Sequence, residues 1–340
     1  MKTIVCEEPY RFVLKETETP VPAAGEALIK IRRIGICGTD LHAYRGNQPF
    51  FTYPRILGHE LSGEIAGLGP ETSGFALGDR VTVMPYLECG KCIACRSGRT
   101  NCCTSLLTLG VHCDGGMQEY YVMPVDHLIK ADGLSLDQAA VVECLCIGAH
   151  AVERAALRQD EFALVIGAGP IGLGAMKYAK LAGAKVIAMD INEERLAFCK
   201  SWAPADYTVN VGNDPLRHIA EITGGDMPTA VLDATGNAKS MEASFQYAAN
   251  GGRIVFVGLV KSDITFNDPE FHRKELTLMS SRNATRRNFE QVIDSIRGGH
   301  VDTDRFITHK SSFEQMIGVY DAWLKPETGV IKAMVEIGND

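Results

Sequence analysis

The 340-residue sequence contains no stretch of about twenty apolar residues free of charged or polar breaks, which a membrane-spanning helix would need. It also has no run of Lys and Arg, and its formal net charge of −8 would repel nucleic acid phosphates. The first residues, MKTIVCEEPYRF, have glutamates where a secretory signal would have its apolar core. We find no internal repeat and no low-complexity linker. We therefore expect a cytoplasmic globular protein that binds neither membranes nor nucleic acids.

The composition, with 46% hydrophobic and 22% charged residues, is typical of a globular protein, and the length favours two domains. Eleven cysteines in a chain without a secretory signal are better explained as metal ligands, catalytic groups or buried small residues than as disulfides. Their spacing distinguishes these roles.

Two patterns of secondary structure divide the chain. Up to about residue 150, short β-type runs separated by Gly, Pro and Asn predict a mostly β domain: EALIKIRRIGI, LSGEIAGLG, DRVTVMPYL and MQEYYVMPV. Apolar runs then alternate with helical stretches, which predicts a parallel sheet with helices on both faces: EFALVIGAG, PIGLGAMKYAKLAGA, KVIAMDI, NEERLAFCKSW, TAVLDAT and RIVFVGLV. Because the tail returns to mixed short elements, we assign 1–150 and 295–340 to one domain and 151–294 to the other.

A dinucleotide-binding motif, G-x-G-x-x-G, follows the strand ALVI at Gly167, Gly169 and Gly172. Such glycines permit a tight turn, close approach of the backbone to a pyrophosphate, and close packing of helix on strand. Asp190 ends the next strand 18 residues beyond Gly172, near the ~20 expected for the acid that binds the ribose hydroxyls. Its carboxylate would repel the 2′-phosphate of NADP and favours NAD, although Arg195 leaves NADP open.

The alternative is that these glycines only form a tight turn and that Asp190 only caps a helix. Pro170 and Ile171 lie inside the motif.

Thr235 and Gly258 follow two later strands, at the carboxyl ends where an open α/β sheet binds its ligand. Contact of both residues with the nicotinamide half is our interpretation, and loop residues without a ligand are the alternative.

Four cysteines, Cys89, Cys92, Cys95 and Cys103, have the spacing C-x2-C-x2-C-x7-C. Four thiolates on a short loop predict a closed tetrahedral zinc site, which stabilises the fold and performs no chemistry. An iron–sulfur cluster is the alternative metal group. Cys102 could replace Cys103 as the fourth ligand.

A second group combines Cys37 in GICGTDLH, His59 and Glu60 in GHE, and Glu143 in VVECLC. One thiolate, one imidazole and one or two carboxylates from separate loops would leave an open zinc position, where a hydroxyl can bind and lose its proton. Each residue has a structural alternative: a buried Cys, a turn His, or a buried and paired acid.

Together, GHE, GICGTDLH, the four-cysteine segment and GAGPIG make the chain resemble the zinc-containing medium-chain dehydrogenases, the superfamily of alcohol, sorbitol and threonine dehydrogenases. The resemblance implies an α/β protein with a GroES-like, mostly β catalytic domain and a doubly wound Rossmann domain. It also implies NAD and two zinc ions, one catalytic and one structural.

The resemblance further implies roles for individual residues. Cys37, His59 and Glu60 match the catalytic zinc ligands, and Glu143 matches an acid that is either a ligand or a partner exchanging with water. Cys144 replaces the Pro that usually follows this acid, which leaves the role of Glu143 open. Two residues on the same segment as Cys37 match a proton relay, with a turn Thr and a surface His as the alternative: Thr39 and His42.

Within the superfamily the chain most resembles sugar-acid dehydrogenases of the L-galactonate and L-gulonate 5-dehydrogenase type. The segments that carry this resemblance are RGNQPFFTYPRILGHE, TLGVHCDGGMQEY, FNDPEFHRKELTLMSSRNAT and ITHK. It implies oxidation of the carbon 5 hydroxyl of an aldonate to a keto-acid. Arg282 and Asn283 could receive the substrate carboxylate, with a surface salt bridge as the alternative for Arg282.

Other functions remain open from the sequence. A polyol or threonine dehydrogenase would use the same site on another small molecule. A non-enzymatic protein that binds zinc and NAD would be marked by a missing ligand, and every candidate ligand is present. We expect a homodimer or a homotetramer.

Overall fold

A computed structural model describes residues 1–48 and 51–338. Pro49 and Phe50, within the segment RGNQPFFTYPRILGHE, and residues 339–340 lie outside the described residues. The strands are β1 (Lys2–Glu8), β2 (Arg11–Glu16), β3 (Glu26–Ile36), β4 (Glu60–Leu68), β5 (Arg80–Val83), β6 (Tyr86–Leu87), β7 (Leu107–Thr108), β8 (Tyr120–Pro124), β9 (Leu128–Lys130), β10 (Phe162–Ile166), β11 (Lys185–Asp190), β12 (Tyr207–Asn210), β13 (Ala230–Asp233), β14 (Arg253–Phe256), β15 (Thr277–Ser280), β16 (Ile307–Ser312) and β17 (Lys332–Glu336).

The helices are α1 (Gly38–Tyr44), α2 (Ile93–Arg96), α3 (Leu136–Ala140), α4 (Val142–Ala155), α5 (Pro170–Leu181), α6 (Glu193–Trp202), α7 (Pro215–Ile222), α8 (Ala238–Tyr247), α9 (Asp268–Arg273), α10 (Arg286–Arg297), α11 (Thr303–Phe306) and α12 (Met316–Trp323). Short 3-10 turns occur at Thr100–Cys102, Val125–His127 and Pro326–Thr328. Within the described ranges, no helix has the length and apolar character needed to cross a membrane.

The chain forms two compact units: unit 1 contains Met1–Cys144 and Thr285–Asp340, and unit 2 contains Leu145–Ala284. These limits lie six and ten residues before the positions 150 and 295 expected from the sequence. Helix α10 belongs wholly to unit 1, since Arg286 donates to the carbonyl of Leu128 at 3.3 Å and Arg297 to that of Asp132 at 2.8 Å. A change of sequence pattern does not reveal such side-chain anchors.

Unit 1 contains a seven-stranded sheet with the order β16-β17-β3-β4-β5-β9, and β8 also pairs with β3. Strand β3 shows why this segment is a strand: Ala27, Ile29 and Ile31 are fully buried and alternate with half-buried residues. The tail of the chain supplies β17, which pairs antiparallel with β3. Strand β3 is thereby enclosed on both sides, next to the end from which Cys37 projects.

Unit 2 contains a six-stranded sheet with the order β12-β11-β10-β13-β14-β15, and all its pairs are parallel. Its central strands are buried on both faces, as in Leu164 and Val165, because helices cover a parallel sheet on each side. The strand order reverses between β10 and β13, which is the position where such sheets bind a ligand. The doubly wound parallel sheet predicted from the sequence is confirmed.

Candidate active site

Three of the predicted reactive ligands come together in unit 1. The ligand atoms of Cys37, His59 and Glu60 all lie within 4.8 Å of one another. His59 is 5% exposed and Glu60 is fully buried, whereas Cys37 is partly exposed. One side of the group is therefore enclosed by protein.

The local structure explains how these side chains meet. Cys37 follows the last residue of β3 and caps the N-terminus of α1, while Glu60 begins β4 directly after His59. Gly35 of β3 lies opposite Glu60 in the strand register, and a Cβ atom there would lie 2.1 Å from Glu60 Oε2. Glycine is required at position 35 because the Glu60 carboxylate fills that space.

Asp40 joins the two ligand segments. It is 1% exposed, and its carboxylate accepts hydrogen bonds from the backbone N–H groups of Cys37 at 3.0 Å and Gly58 at 3.1 Å. Its Oδ1 also lies 3.7 Å from Nδ1 of His59. A carboxylate behind a metal-binding imidazole orients the ring and makes it a better ligand.

Lys332 of β17 contacts the same site from the other end of the chain. Its ammonium donates to both oxygens of Glu60, at 2.7 and 2.8 Å, and to the carbonyl of Ile36 at 3.0 Å. Both partners are almost completely buried, at 1% and 0% exposure. Although burial opposes the charge of Lys332, the neighbouring Cys144 and Glu60 raise its pKa. The sequence did not identify Lys332 as a site residue.

Glu143 lies in the first turn of α4 and does not belong to the group of ligand atoms within 4.8 Å. Its Oε1 accepts a hydrogen bond from the hydroxyl of Tyr86. Burial, together with the negative charge of Glu60, raises the pKa of Glu143 to about 7, while His59, Tyr86 and Lys332 oppose this shift. The acid therefore lies near the ligand group but has its own partner.

The residues of this group fit a zinc ion. A thiolate, an imidazole and a carboxylate are ligands that zinc binds, and three protein ligands leave one position open. Three buried acids lie in or beside this group: Asp40, Glu60 and Glu143. Buried carboxylates are stabilised when they are paired or bind a cation.

The four predicted structural ligands, Cys89, Cys92, Cys95 and Cys103, also lie with their sulfurs within 4.8 Å of one another. Cys102 is exposed and does not belong to the group, so the structure favours Cys103 as the fourth ligand. Backbone N–H groups of Cys95 and Thr104 lower the pKa of Cys92 to about 5.

The pKa of Cys95, by contrast, is raised to about 12 by burial and by hydrogen bonds with its neighbouring thiols. Clustered thiols compete for protons in this way unless a cation stabilises all four thiolates. The donor set therefore fits zinc, and a closed four-sulfur site has no position for a substrate.

The glycine motif of unit 2 forms the turn between β10 and α5. Gly167 has φ of 96°, and a Cβ at Gly172 would lie 1.7 Å from the carbonyl oxygen of Gly167. Gly169 caps the N-terminus of α5 and Pro170 opens the helix, followed by Ile171. A Cβ at Gly169 would meet nothing closer than Nη1 of Arg195 at 4.0 Å, which leaves the helix N-terminus accessible to a phosphate.

Asp190 ends β11 beside this turn. Its carboxylate accepts hydrogen bonds from the backbone N–H groups of Ala168 at 2.6 Å and Asn192 at 2.9 Å. The acid thus braces the glycine turn, and an oxygen with two lone pairs can still accept a ribose hydroxyl. Asn192, rather than Asp190, provides the side-chain cap of α6.

Thr235 and Gly258 lie beyond the carboxyl ends of β13 and β14. The Thr235 hydroxyl donates to Asp233 at 2.6 Å, and the Gly258 N–H donates to the Asp233 carbonyl at 3.0 Å. A Cβ at Gly258 would lie 2.3 Å from the backbone nitrogen of Gly236, so the backbones of these two loops lie close together.

The remaining predicted residues lie on α1 and after β15. Thr39 is half-buried and His42 is exposed, three residues apart on one face of α1. Arg282 is exposed. Asn283 has φ of 53°, and its buried side-chain nitrogen has no hydrogen-bond partner among the described residues. These four roles stay predictions.

Sequence reasoning missed Asp40, Lys332 and Tyr86. Asp40 had a local signal, because an acid three residues after Cys37 forms a capping box with it. Lys332 and Tyr86 had none, since their partners lie 272 and 57 residues away.

Comparisons with known proteins agree with this arrangement. The alcohol dehydrogenase GroES-like domain matches residues 23–133, and the zinc-binding dehydrogenase domain matches residues 170–297. The chain is 43% identical over 335 residues to L-galactonate-5-dehydrogenase of Escherichia coli (strain K12), covering 98% of each protein. It is 32% identical over 343 residues to sorbitol dehydrogenase of Bacillus subtilis (strain 168), covering 98% of this chain and 97% of that protein.

Solved structures show the same relationship. An alcohol dehydrogenase (rspB) from E. coli CFT073, determined in complex with the cofactor NADH, matches with a TM-score of 0.93 at 33% identity and 99% coverage of each chain. The chain belongs to the zinc-binding alcohol dehydrogenase family, whose members combine a GroES-like domain with a dinucleotide-binding domain.

Proposed function

We propose that the protein oxidises a secondary alcohol of a sugar acid to a ketone, with L-galactonate or L-gulonate as the substrate, carbon 5 as the reacting centre, and NAD as the hydride acceptor. The chain is an oxidoreductase of the zinc-binding dehydrogenase family, and the substrate class is the finer step. The observation that carries the proposal is the grouping of Cys37, His59 and Glu60. The 43% identity to L-galactonate-5-dehydrogenase supports an acid substrate.

Each residue group would have a distinct task. Cys37, His59 and Glu60 would hold the catalytic zinc, and Cys89, Cys92, Cys95 and Cys103 the structural one. When bound, zinc would polarise the substrate hydroxyl and NAD would accept the hydride. Thr39 and His42 would pass the hydroxyl proton outward, because a hydroxyl both accepts and donates and an imidazole titrates near neutral pH.

In unit 2, the glycine turn would receive the pyrophosphate and Asp190 the ribose. Asp190 favours NAD over NADP because a 2′-phosphate would bring like charge beside it. Thr235 and Gly258 would line the nicotinamide half. Arg195, close to Gly169, would contribute positive charge beside the dinucleotide.

Arg282 and Asn283 would receive the carboxylate that distinguishes an aldonate from a polyol. The amide nitrogen of Asn283 supports this role: it has no partner within residues 1–48 and 51–338, and a buried N–H group without a partner costs about 1–3 kcal/mol. An acceptor oxygen of the substrate would remove that cost.

A polyol substrate is the second candidate, favoured by the relation to sorbitol dehydrogenase at 32% identity. A panel of aldonates, polyols and threonine, assayed with NAD on zinc-loaded protein, separates the candidates. We expect the highest kcat/KM on L-galactonate or L-gulonate. Equal or better turnover of sorbitol would overturn the sugar-acid proposal but not the dehydrogenase activity.

Arg282→Gln gives a sharper version of this test. Loss of a charge-assisted hydrogen bond, at about 1.5–3 kcal/mol, should lower kcat/KM on the aldonate by roughly 10–100-fold. Turnover of a polyol by the same variant should stay unchanged. An equal loss on both substrates would contradict carboxylate binding by Arg282.

The assembly, a homodimer or a homotetramer by our prediction, is measurable by light scattering.

A further inference from the structure

We infer that Tyr86 is a positioning residue: its buried hydroxyl holds Glu143 away from the ligand group of Cys37, His59 and Glu60, and so keeps one coordination position open for the substrate. The inference rests on the proposed function in so far as this group holds the catalytic zinc.

The position of Tyr86 is well determined by its surroundings. It begins β6, where it pairs with Thr108 of β7, and it is 3% exposed. Its ring contacts the ring of Phe289 edge to face, with centroids 6.4 Å apart, and Phe289 is fully buried in α10. Strand pairing and aromatic packing therefore set the place from which the hydroxyl reaches Oε1 of Glu143.

Two acids, one inside the ligand group and one beside it, each have a hydrogen-bond partner that is not a metal. Glu60 has both oxygens bound by Lys332, and Glu143 has one oxygen bound by Tyr86. Glu60 nevertheless lies inside the group of ligand atoms, whereas Glu143 lies outside it. In the structure, the Glu143 carboxylate therefore contacts the hydroxyl of Tyr86 and is not one of the grouped ligand atoms.

Without that hydroxyl, a zinc ion would be the strongest partner for the Glu143 carboxylate. The acid is 3% exposed, so solvent cannot replace the lost hydrogen bond, and Glu143 lies close enough to His59 and Glu60 to interact with both electrostatically. A further carboxylate ligand would close the coordination sphere. Closed sites hold zinc more firmly and leave no position for a substrate.

The test replaces Tyr86 by Phe and reads the metal directly. Cobalt(II) is substituted for zinc, and its visible absorption reports the number and kind of ligands. The difference spectrum between wild type and Cys37→Ser isolates the reactive site from the four-cysteine site. We expect Tyr86→Phe to change this difference spectrum, to slow metal loss to a chelator, and to lower kcat.

A matched control removes another buried hydroxyl. Tyr247 of α8 is buried in the core of unit 2. Tyr247→Phe should leave the cobalt spectrum and the rate of metal loss unchanged. The double variant Tyr86→Phe/Glu143→Gln should also return both quantities to their wild-type values, because the effect of Tyr86 acts through the Glu143 carboxylate.

Several outcomes would overturn the inference. They are an unchanged cobalt spectrum in Tyr86→Phe, faster metal loss in that variant, or an effect that persists in the double variant. Glu143→Gln alone gives an independent test, since an acid held outside the coordination sphere can be replaced without changing the spectrum. If wild type and Cys37→Ser had the same cobalt spectrum, the catalytic-zinc assignment itself would fail, and the inference with it.

Discussion

Lys332 contacts the reactive site through a buried ion pair. It is 1% exposed and forms an ion pair with both oxygens of a fully buried Glu60. A buried charge whose partner is removed destabilises a protein by about 3–5 kcal/mol, whereas an exposed ion pair contributes about 0–1 kcal/mol. The two lysines of neighbouring strands, Lys332 and Lys310, differ in this respect, since the side chain of Lys310 is 45% exposed.

We therefore predict that Lys332→Met lowers the free energy of unfolding by about 3–5 kcal/mol, measured by urea denaturation of the zinc-loaded protein. Lys310→Met on β16 is the matched control and should cost less than about 1 kcal/mol. Similar losses for both variants would contradict the importance of the buried pair.

At the scale of single residues, the sequence predicts the metal ligands but not the residues that contact and position them. Cys37, His59 and Glu60 stand in short motifs, and their chemistry is visible from spacing alone. Lys332 and Tyr86 reach the site only through strand pairing and packing, which a linear pattern does not contain. The sequence left Cys102 and Cys103 open as the fourth ligand for a related reason. The two residues are adjacent, and only the folded backbone decides which side chain points toward the other three sulfurs.

At the scale of secondary-structure elements, the turn from β10 to α5 contains glycines with two different roles. One allows close packing of the backbone, and the other leaves space for a ligand. A Cβ at Gly172 would lie 1.7 Å from a carbonyl oxygen, whereas a Cβ at Gly169 would lie in nearly open space. Gly172→Ala should therefore destabilise unit 2, with a loss in the range of about 1–3 kcal/mol for overpacking. Gly169→Ala should leave thermal stability unchanged and weaken NADH binding, measured by fluorescence titration. Equal stability losses would contradict this separation.

The four-cysteine segment gives a second prediction at the scale of an element. Cys92→Ser removes a metal ligand and should release one zinc per chain and lower the melting temperature. Cys102→Ser changes the exposed thiol beside Cys103 and should preserve both quantities. Metal analysis and calorimetry measure the two effects. Equal zinc content in both variants would show that Cys92 is not a ligand.

An ion network connects α3 with three strands, and we expect it to make unit 1 sensitive to acid. Arg33 donates to Asp137 at 2.6 Å, and Lys310 bridges Asp137 and Glu336. Although burial opposes it, the hydrogen bonds from Lys310 and Arg33 lower the pKa of Asp137. A lowered folded-state pKa stabilises the protein above the unfolded-state pKa of about 3.9, and this contribution is lost as the pH falls through the folded-state value.

Asp137→Asn should accordingly reduce stability at pH 7 and flatten the decline of stability below about pH 4. Urea denaturation at a series of pH values measures both changes. A variant that declined in acid as steeply as wild type would show that other carboxylates control the acid sensitivity.

For the whole molecule, the two units should respond to different ligands. NADH at 100 times its Kd would stabilise the region it binds by about 2.7 kcal/mol. Hydrogen exchange should therefore slow around the turn after β10 and the end of β11 in unit 2. A chelator should instead speed exchange in the four-cysteine segment of unit 1. Protection by NADH confined to unit 1 would contradict the cofactor site.

The doubly wound sheet was predictable from alternating apolar and helical segments, whereas this alternation does not specify the strand order β12-β11-β10-β13-β14-β15. The limits of the units were less predictable, because α10 is attached to unit 1 by Arg286 and Arg297 rather than by any change of composition. The sequence pattern shows which segments form strands and helices, whereas side-chain contacts decide to which unit a helix belongs.

The pairing of Lys332 with Glu60 also has a consequence for biosynthesis. A ribosome makes the chain from its N-terminus, so Cys37, His59 and Glu60 emerge long before β17. Until β17 leaves the exit tunnel, Glu60 lacks its counter-ion and β3 lacks one neighbouring strand. A chain terminated before β17 would therefore contain every metal ligand and still lack the finished centre, which makes synthesis of β17 a condition for a working active site.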